Sequence, residues 1–269
     1  MLRLKRLLEI APRSVNGRKL LKEEVQLFPA IPLRSPSRWT SSRFLDIYQM
    51  GSKEAIEKER ARLKDEMNRG YFADMSEMNQ HGGKIGLANK IIIPAIAAVK
   101  FPTVEVNYSD GSTLKLPITS DRNDANLSKS DIPNASLVCL SFRASSQPMV
   151  DSWSLPFLKT FSHSSDVRLY EVSFIDSWLL TRSPIKKLLL KIMRKQNPGE
   201  KQDLLQRQIV YSFGDHYYFR KELRILNLLT GYIFLLDKLG RIRWQGFGLA
   251  TPDELSSLLA CTSLLLEEK

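Results

Sequence analysis

Ser136-Leu-Val-Cys-Leu-Ser-Phe142, followed at once by Arg143-Ala-Ser-Ser-Gln-Pro-Met149, is the stretch on which the fold turns. A short apolar run closed by turn-forming residues predicts a buried strand. Val150–Phe161 then reads as a helix carrying Trp153, Leu155 and Phe157, with Pro156 as a complication inside it. Working outward, Arg168–Ile175 predicts a second strand and Ser183 to about Gln196 a second helix. Gly231-Tyr-Ile-Phe-Leu-Leu-Asp237, the turn Lys238-Leu-Gly240 and Arg241-Ile-Arg-Trp-Gln-Gly-Phe247 predict a hairpin. Pro252–Leu266 predicts a closing helix, with Thr251 as its cap and Pro252 in its first turn. Upstream, Thr103–Tyr108 and Ser112–Leu116 flank an Asp110-Gly111 turn as two short strands, and 119–134 reads as a loop. Residues 52–69 predict a charged peripheral helix capped by Ser52 and ended by Gly70.

From residue 136 the predicted order is strand, helix, strand, helix, strand, strand, helix. That makes an α/β fold, a mixed sheet with helices on both faces, preceded by a helical N-terminal extension. The order is thioredoxin-like, and neighbouring α/β orders fit the same pattern. The expected organisation is a disordered leader over 1–44, a helical and extended region over 45–102, and a thioredoxin-like domain over 103–269.

The 269 residues carry a formal charge of +11, and 43% of them are hydrophobic, a globular composition. Residues 1–44 hold ten Lys and Arg against three Glu, so +7 of the total lies in the leader. A nucleic-acid surface places its charge in the folded body, so no nucleic-acid partner is expected. An Arg-rich, Ser-bearing, acid-poor leader without a long apolar core matches an organellar transit peptide, with cleavage near Arg34–Ser42. The expected location is the mitochondrion, on the matrix side. Ile91–Val99, the most apolar run, has nine residues against the roughly 20 that cross a bilayer.

A thioredoxin-like oxidoreductase needs a nucleophilic thiol just after the first core strand, at a helix N-terminus that lowers its pKa. Arg143–Met149 occupies that place and contains no cysteine, while Leu229-Thr-Gly231 lacks the proline that thiol-redox members set beside the dithiol. Cys139 and Cys261, inside a strand and a helix, read as packing residues. His81, His163 and His216 show no metal-ligand spacing, and Gly82-Gly-Lys84 and Gly246-Phe-Gly248 are incomplete as phosphate loops. No catalytic residue, metal or cofactor is therefore assigned, and an enzyme is not expected. Ser183-Pro-Ile-Lys-Lys-Leu-Leu-Leu-Lys-Ile-Met-Arg-Lys195 puts Ile185, Leu188, Leu189 and Ile192 on one face, with Lys186, Lys187, Lys191, Arg194 and Lys195 around it. Such a helix either packs on the core or rests on an anionic membrane or acidic partner.

Three segments carry a resemblance. Arg69-Gly70-Tyr71-Phe72-Ala-Asp-Met75 with Gly83-Lys84, then Leu137–Phe142 leading to Trp153-x-x-Pro-Phe157, and Gly231 through Asp237, Gly240, Arg241 and Trp244 resemble the mitochondrial ATP synthase assembly-factor family. That family is typified by the yeast chaperone of Fo subunit 6 (subunit a). The resemblance covers about 55–266, and its last segment is the most specific. It implies a thioredoxin-like, matrix-side protein peripheral to the inner membrane. Such a protein binds newly made subunit 6, promotes its joining to the subunit c ring, and does not remain in the finished complex. Arg69, Gly70, Tyr71, Phe72, Trp153, Asp237, Gly240, Arg241 and Trp244 belong to its motifs without an implied role. Lys84–Pro102 departs from the family pattern, although Ile91–Val99 offers an apolar surface for a client. The competing readings are a redox-inactive thioredoxin-like protein with another mitochondrial client, a thiol-dependent peroxidase or reductase, and an organellar RNA-binding protein.

Overall fold

The computed structural model describes residues 53–68, 71–80, 83–119, 132–176, 183–196 and 207–268. The leader, its cleavage region, Arg69, Gly70 and most of the 119–134 loop lie outside them. The strand expected at Ser136–Phe142 is β3, Ala135–Ser141, and all seven of its residues are buried. Such burial reflects its central place, since helices and loops cover both faces of the sheet. β4 (Val167–Ile175) pairs with it in parallel, and β6 (Tyr232–Asp237) lies antiparallel on its other side. β7 (Ile242–Phe247) completes the expected hairpin. β1 (Val104–Asn107) and β2 (Thr113–Leu116) form the other one, turned by Gly111 at φ +93°.

Between the hairpins lies a strand the sequence reading missed, β5 (Arg207–Phe213), parallel to β4 and touching β1. The sheet order is β2-β1-β5-β4-β3-β6-β7. Two helices were also missed, α2 (Tyr71–Gln80) and α5 (Tyr217–Glu222). The others stand where expected: α1 (Lys53–Asn68), α3 (Gln147–Phe161), α4 (Ser183–Gln196) and α6 (Pro252–Glu267). α3 keeps Pro156 and begins at Gln147, with Pro148 in its first turn, where no backbone N–H is needed. α6 opens with a complete capping box between Thr251 and Glu254.

The period-2 alternation of the strands divides the core. On one face Leu137, Cys139, Leu169, Ile233, Leu235 and Trp244 pack with Trp153 and Phe157 of α3 and Leu258 and Cys261 of α6. On the other, Val138, Leu140, Tyr170, Val172, Phe174 and Phe234 pack with Phe101, with Phe219 of α5 and with Ile225. The mixed sheet with helices on both faces is thioredoxin-like, as expected. α1 docks beside α5 through polar contacts: Tyr217 donates to Asp65 at 2.7 Å and Arg62 pairs with Asp215. Leu63 stays exposed, in keeping with a peripheral helix.

Candidate interaction site

The C-terminal motif residues converge on β7, where they hold a strap formed by residues 84–101. Asp237 closes the preceding turn, one carboxylate oxygen accepting from the N–H groups of Leu239 (3.0 Å) and Arg241 (2.9 Å). Its other oxygen accepts from Arg241 Nε at 2.7 Å. Gly240, at φ +72°, leaves no room for a side chain: a Cβ would sit 2.6 Å from Pro117. Two β7 residues and Arg241 just before the strand then reach across to strap carbonyls. Trp244 Nε1 donates to Asn89 O at 2.6 Å, Arg243 Nε to Ile93 O at 2.6 Å, and Arg241 Nη1 to Ala95 O at 3.2 Å.

Backbone bonds add to the seam. Asn89 N donates to Gln245 O (3.0 Å), Ile93 N to Arg243 O (2.7 Å), Ile242 N to Val99 O (2.8 Å) and Phe101 N to Gly240 O (2.8 Å). An edge strand with open donors and acceptors is a template for unwanted pairing, and the strap covers this one. α6 braces it from behind. Glu254 accepts from Ala88 N at 3.0 Å and from Lys84, and Ser257 Oγ lies 2.9 and 2.8 Å from the carbonyls of Asn89 and Lys90. Burial works against the Glu254 carboxylate, but the Ala88 N–H, Lys84 and Thr251 together bring it below the usual range.

With its backbone turned inward, the strap points aliphatic side chains outward. Ile92 packs against the α3/α6 core, whereas Leu87, Ile91, Ile96 and Val99 are between 68% and 98% exposed. No Asp or Glu occurs between Glu77 and Glu105, and Lys90 and Lys100 are exposed within the strap. Scattered exposed aliphatics are ordinary on a protein surface. Four on one acid-free segment, fixed by side chains from β7 and α6, make a built apolar ridge.

At the position of the redox corner, Arg143, Ala144 and Ser145 are exposed and Ser146 behind them turns inward. Ser146 is fully buried; its hydroxyl donates to Arg143 O at 2.8 Å and lies 2.9 Å from Ser141 Oγ. Gly231 faces Met149 and Val150, and Trp153 Nε1 donates to Gly248 O at 2.7 Å. Cys139 lies inside β3, where burial, and then the Glu171 charge, push its thiol well up; burial also raises Cys261. Both thiols are free and buried, as expected.

The assigned apolar face of the basic helix is not buried as a unit: Ile185 and Leu189 are half-buried, Leu188 and Ile192 exposed. Leu190, outside that face, is buried, and Lys186 lies over the ring of Phe213 with Nζ 4.9 Å from the centroid. Lys186 and Leu190, four residues apart, therefore share the inward side. Leu188 and Ile192 are exposed together with Lys187 and Lys191, an outer face of mixed apolar and basic character. The side chains of Arg194 and Lys195 lie outside the described residues.

Of the remaining motif residues, Trp153 meets Trp244 edge-on in the core at 5.6 Å, and Phe72 is exposed on α2. Arg243, absent from the residues singled out above, is the most heavily bonded of the β7 side chains. A second group was also missed. Ser212 Oγ lies 2.8 Å from His216 Nε2, and His216 Nδ1 lies 2.8 Å from Asp176. This has the connectivity of a hydrolytic triad, but Ser212 is 2% exposed and its hydroxyl donates to Glu105 O at 2.8 Å. The group joins β1, β5 and the start of α5. The Ser212-x-x-x-His216 spacing was its only mark in the sequence.

Among the described residues no helix is long and apolar enough to cross a membrane. The structure is similar to bacterial thioredoxin-like proteins. A thiol-disulfide oxidoreductase from Bacteroides fragilis has 17% identity and TM-score 0.38, over 60% of this chain and 98% of its own. The thioredoxin domain of a Bacteroides vulgatus thiol-disulfide oxidoreductase has 16% and 0.37, over 61% and 95%. BsSco, of the Sco family of cytochrome c oxidase assembly proteins, has 14% and 0.40, over 66% and 99%. These are likenesses of fold alone. No curated protein matches the sequence. The family model of the ATP10 protein matches residues 18–265, taking in both the strap and the β6–β7 motif. The chain thus belongs to the ATP10 protein family, a membership consistent with a role in ATP synthase assembly.

Proposed function

We propose that this protein is an assembly factor of the mitochondrial F-type ATP synthase. It binds newly made Fo subunit 6 through the strap ridge and promotes its joining to the subunit c ring, without staying in the finished complex. The carrying observation is the ridge: Leu87, Ile91, Ile96 and Val99 stand in solvent because Arg241, Arg243 and Trp244, from the family's most specific segment, hold the backbone beneath them. A very hydrophobic client requires apolar surface that is accessible before it reaches its partners. The corner built from Ser141, Ser146 and Gly231 supports binding over thiol chemistry.

The protein works on the matrix side, peripheral to the inner membrane. The outer face of α4, with Leu188 and Ile192 among Lys187 and Lys191, is its contact with anionic lipid, each cation near the surface adding about 1 kcal/mol. Lys186 contributes less there, since it lies over Phe213.

The test is a photo-crosslinking residue at position 96 in isolated mitochondria, with pulse-labelling of organellar translation products. Labelled subunit 6 should be captured early and lost during the chase. Capture of a different product would retain the ridge and change the client. For α4, replacing Lys186, Lys187, Lys191, Arg194 and Lys195 with Gln should release the protein from cardiolipin-containing liposomes, and undiminished binding would remove this membrane contact.

A further inference from the structure

Arg243 is 1% exposed, yet it lies on the edge strand and spends its guanidinium on three elements. Nε donates to Ile93 O at 2.6 Å; Nη1 and Nη2 donate to the two Glu268 oxygens, each at 2.7 Å; Nη1 also lies 3.6 Å from Asp237. Glu268 is the C-cap residue of α6. The planar fork therefore ties the middle of the strap to the far end of the helix that braces its beginning through Glu254 and Ser257.

We infer that Arg243 is the positioning residue of the strap, holding Ile93 so that Ile91 and Ile96 project on either side as one preset ridge. The inference rests on the reading of that ridge as the client-binding surface. Between Asn89, held by Trp244 and Ser257, and Val99, held by the β7 backbone, Ile93 is the central anchor. Ser257 also reaches Lys90 O at 2.8 Å, next to Asn89, and Arg241 on Ala95 is longer at 3.2 Å and comes from a residue only partly buried. A fixed ridge binds without first losing its own freedom, whereas a loose segment must be ordered by its partner. Lysine cannot replace the arrangement, because one ammonium on a flexible stem does not present the two-pronged contact to Glu268 together with the Nε contact to Ile93.

The test compares the unaltered protein with Arg243→Gln, Arg243→Lys and Glu268→Gln. Hydrogen exchange on the purified protein is read at the Ile93 amide and at Cys139 and Ile233 in the central strands. With Arg243→Gln, exchange at Ile93 should rise about tenfold or more, while the central amides remain within about twofold. Arg243→Lys should fall between that variant and the unaltered protein. Glu268→Gln, a change at a half-exposed side chain that leaves the Ile93 contact in place, keeps the test usable if the buried substitution prevents folding. It should also raise exchange at Ile93, by less. Crosslinking from position 96 to the client should fall in the same order. Unchanged exchange at Ile93, or central strands opening in step with the strap, would overturn the inference, and so would a loosened strap with undiminished crosslinking. Failure of the unaltered protein to crosslink would defeat the client reading while exchange still decided the role of Arg243.

Discussion

The redox-corner position and the strap adjoin each other, since Gly248 N donates to Gly231 O at 3.0 Å on one side and packs against Gly83 and Lys84 on the other. They are built in opposite senses. At the corner, Ser146 is buried and its hydroxyl is satisfied by Arg143 O and Ser141 Oγ. Along the strap, charged and aromatic side chains are spent on holding backbone, and the aliphatic side chains are left in solvent. On the proposed reading, contact with a partner falls on the strap rather than at the corner. That division can be broken experimentally.

The largest effects belong to the tryptophans that meet at 5.6 Å between the regions. Trp153→Ala and Trp244→Ala each remove a fully buried ring, and each should cost about 3–5 kcal/mol in chemical denaturation. Only Trp244→Ala also removes a donor from Asn89 O, leaving Ser257 alone on it, so only it should speed exchange in the strap beyond the global loss. Equal strap opening in both variants would mean that the two regions are one cooperative unit.

Next comes Glu254, which closes the α6 capping box while receiving Ala88 N–H and Lys84. Glu254→Ala should cost about 1–2 kcal/mol through the lost cap and the orphaned amide. The loss should be centred on the start of the strap and should leave the corner unchanged. A thermal melt combined with exchange at Ala88 would measure both.

Acid provides a gentler separation of the two. Arg243 holds Glu268 below its ordinary value of 4.5, and Glu254 is also lowered from 4.5. A carboxylate depressed in the folded state stabilises fully above the unfolded value, and that contribution is lost as pH falls through 4.5 toward the folded value. The strap should therefore loosen below about pH 4.5, while the hydroxyl–carbonyl bonds of Ser141 and Ser146 carry no such dependence. Exchange corrected for its intrinsic pH dependence is the measurement.

The central strands were legible because Ser136–Phe142 and Tyr232–Asp237 are nearly pure apolar runs and the β6–β7 turn announces itself in Lys-Leu-Gly. β5 was not, since Arg207, Gln208, Ser212 and the polar sequence before it interrupt the pattern; Arg207 is drawn inward by a two-pronged pair with buried Glu171 at 3.0 Å. α4 was found but its inward side was not, because Lys186 sets its ammonium over the Phe213 ring and so shares the side of buried Leu190. The strap was visible only as apolar composition. Pro94 breaks any periodicity, and the bonds that fix the segment run to residues about 150 positions away. No local pattern records such partners, so Asp237, Gly240, Arg241 and Trp244 were recognisable as a motif before their task could be read.

The smallest expected effect on stability is also the sharpest test of the division. Ile96 is 98% exposed, beside the turn in which Ala97 N donates to Pro94 O, so its side chain contributes almost nothing to the interior. Ile96→Ser should change stability by no more than about 0.5 kcal/mol, and exchange at Ile93 should be unaltered because Arg243 still holds it. Capture of the client through a crosslinker at position 91 should nevertheless drop, and adding Ile91→Ser, with the crosslinker moved to Leu87, should deepen the loss. A parallel Leu155→Ser, at an exposed leucine of α3, should leave capture intact. If the two serine substitutions behave alike, exposed aliphatics are interchangeable on this surface and the ridge has no special standing. If only the strap responds, recognition resides in side chains that the fold itself does not need.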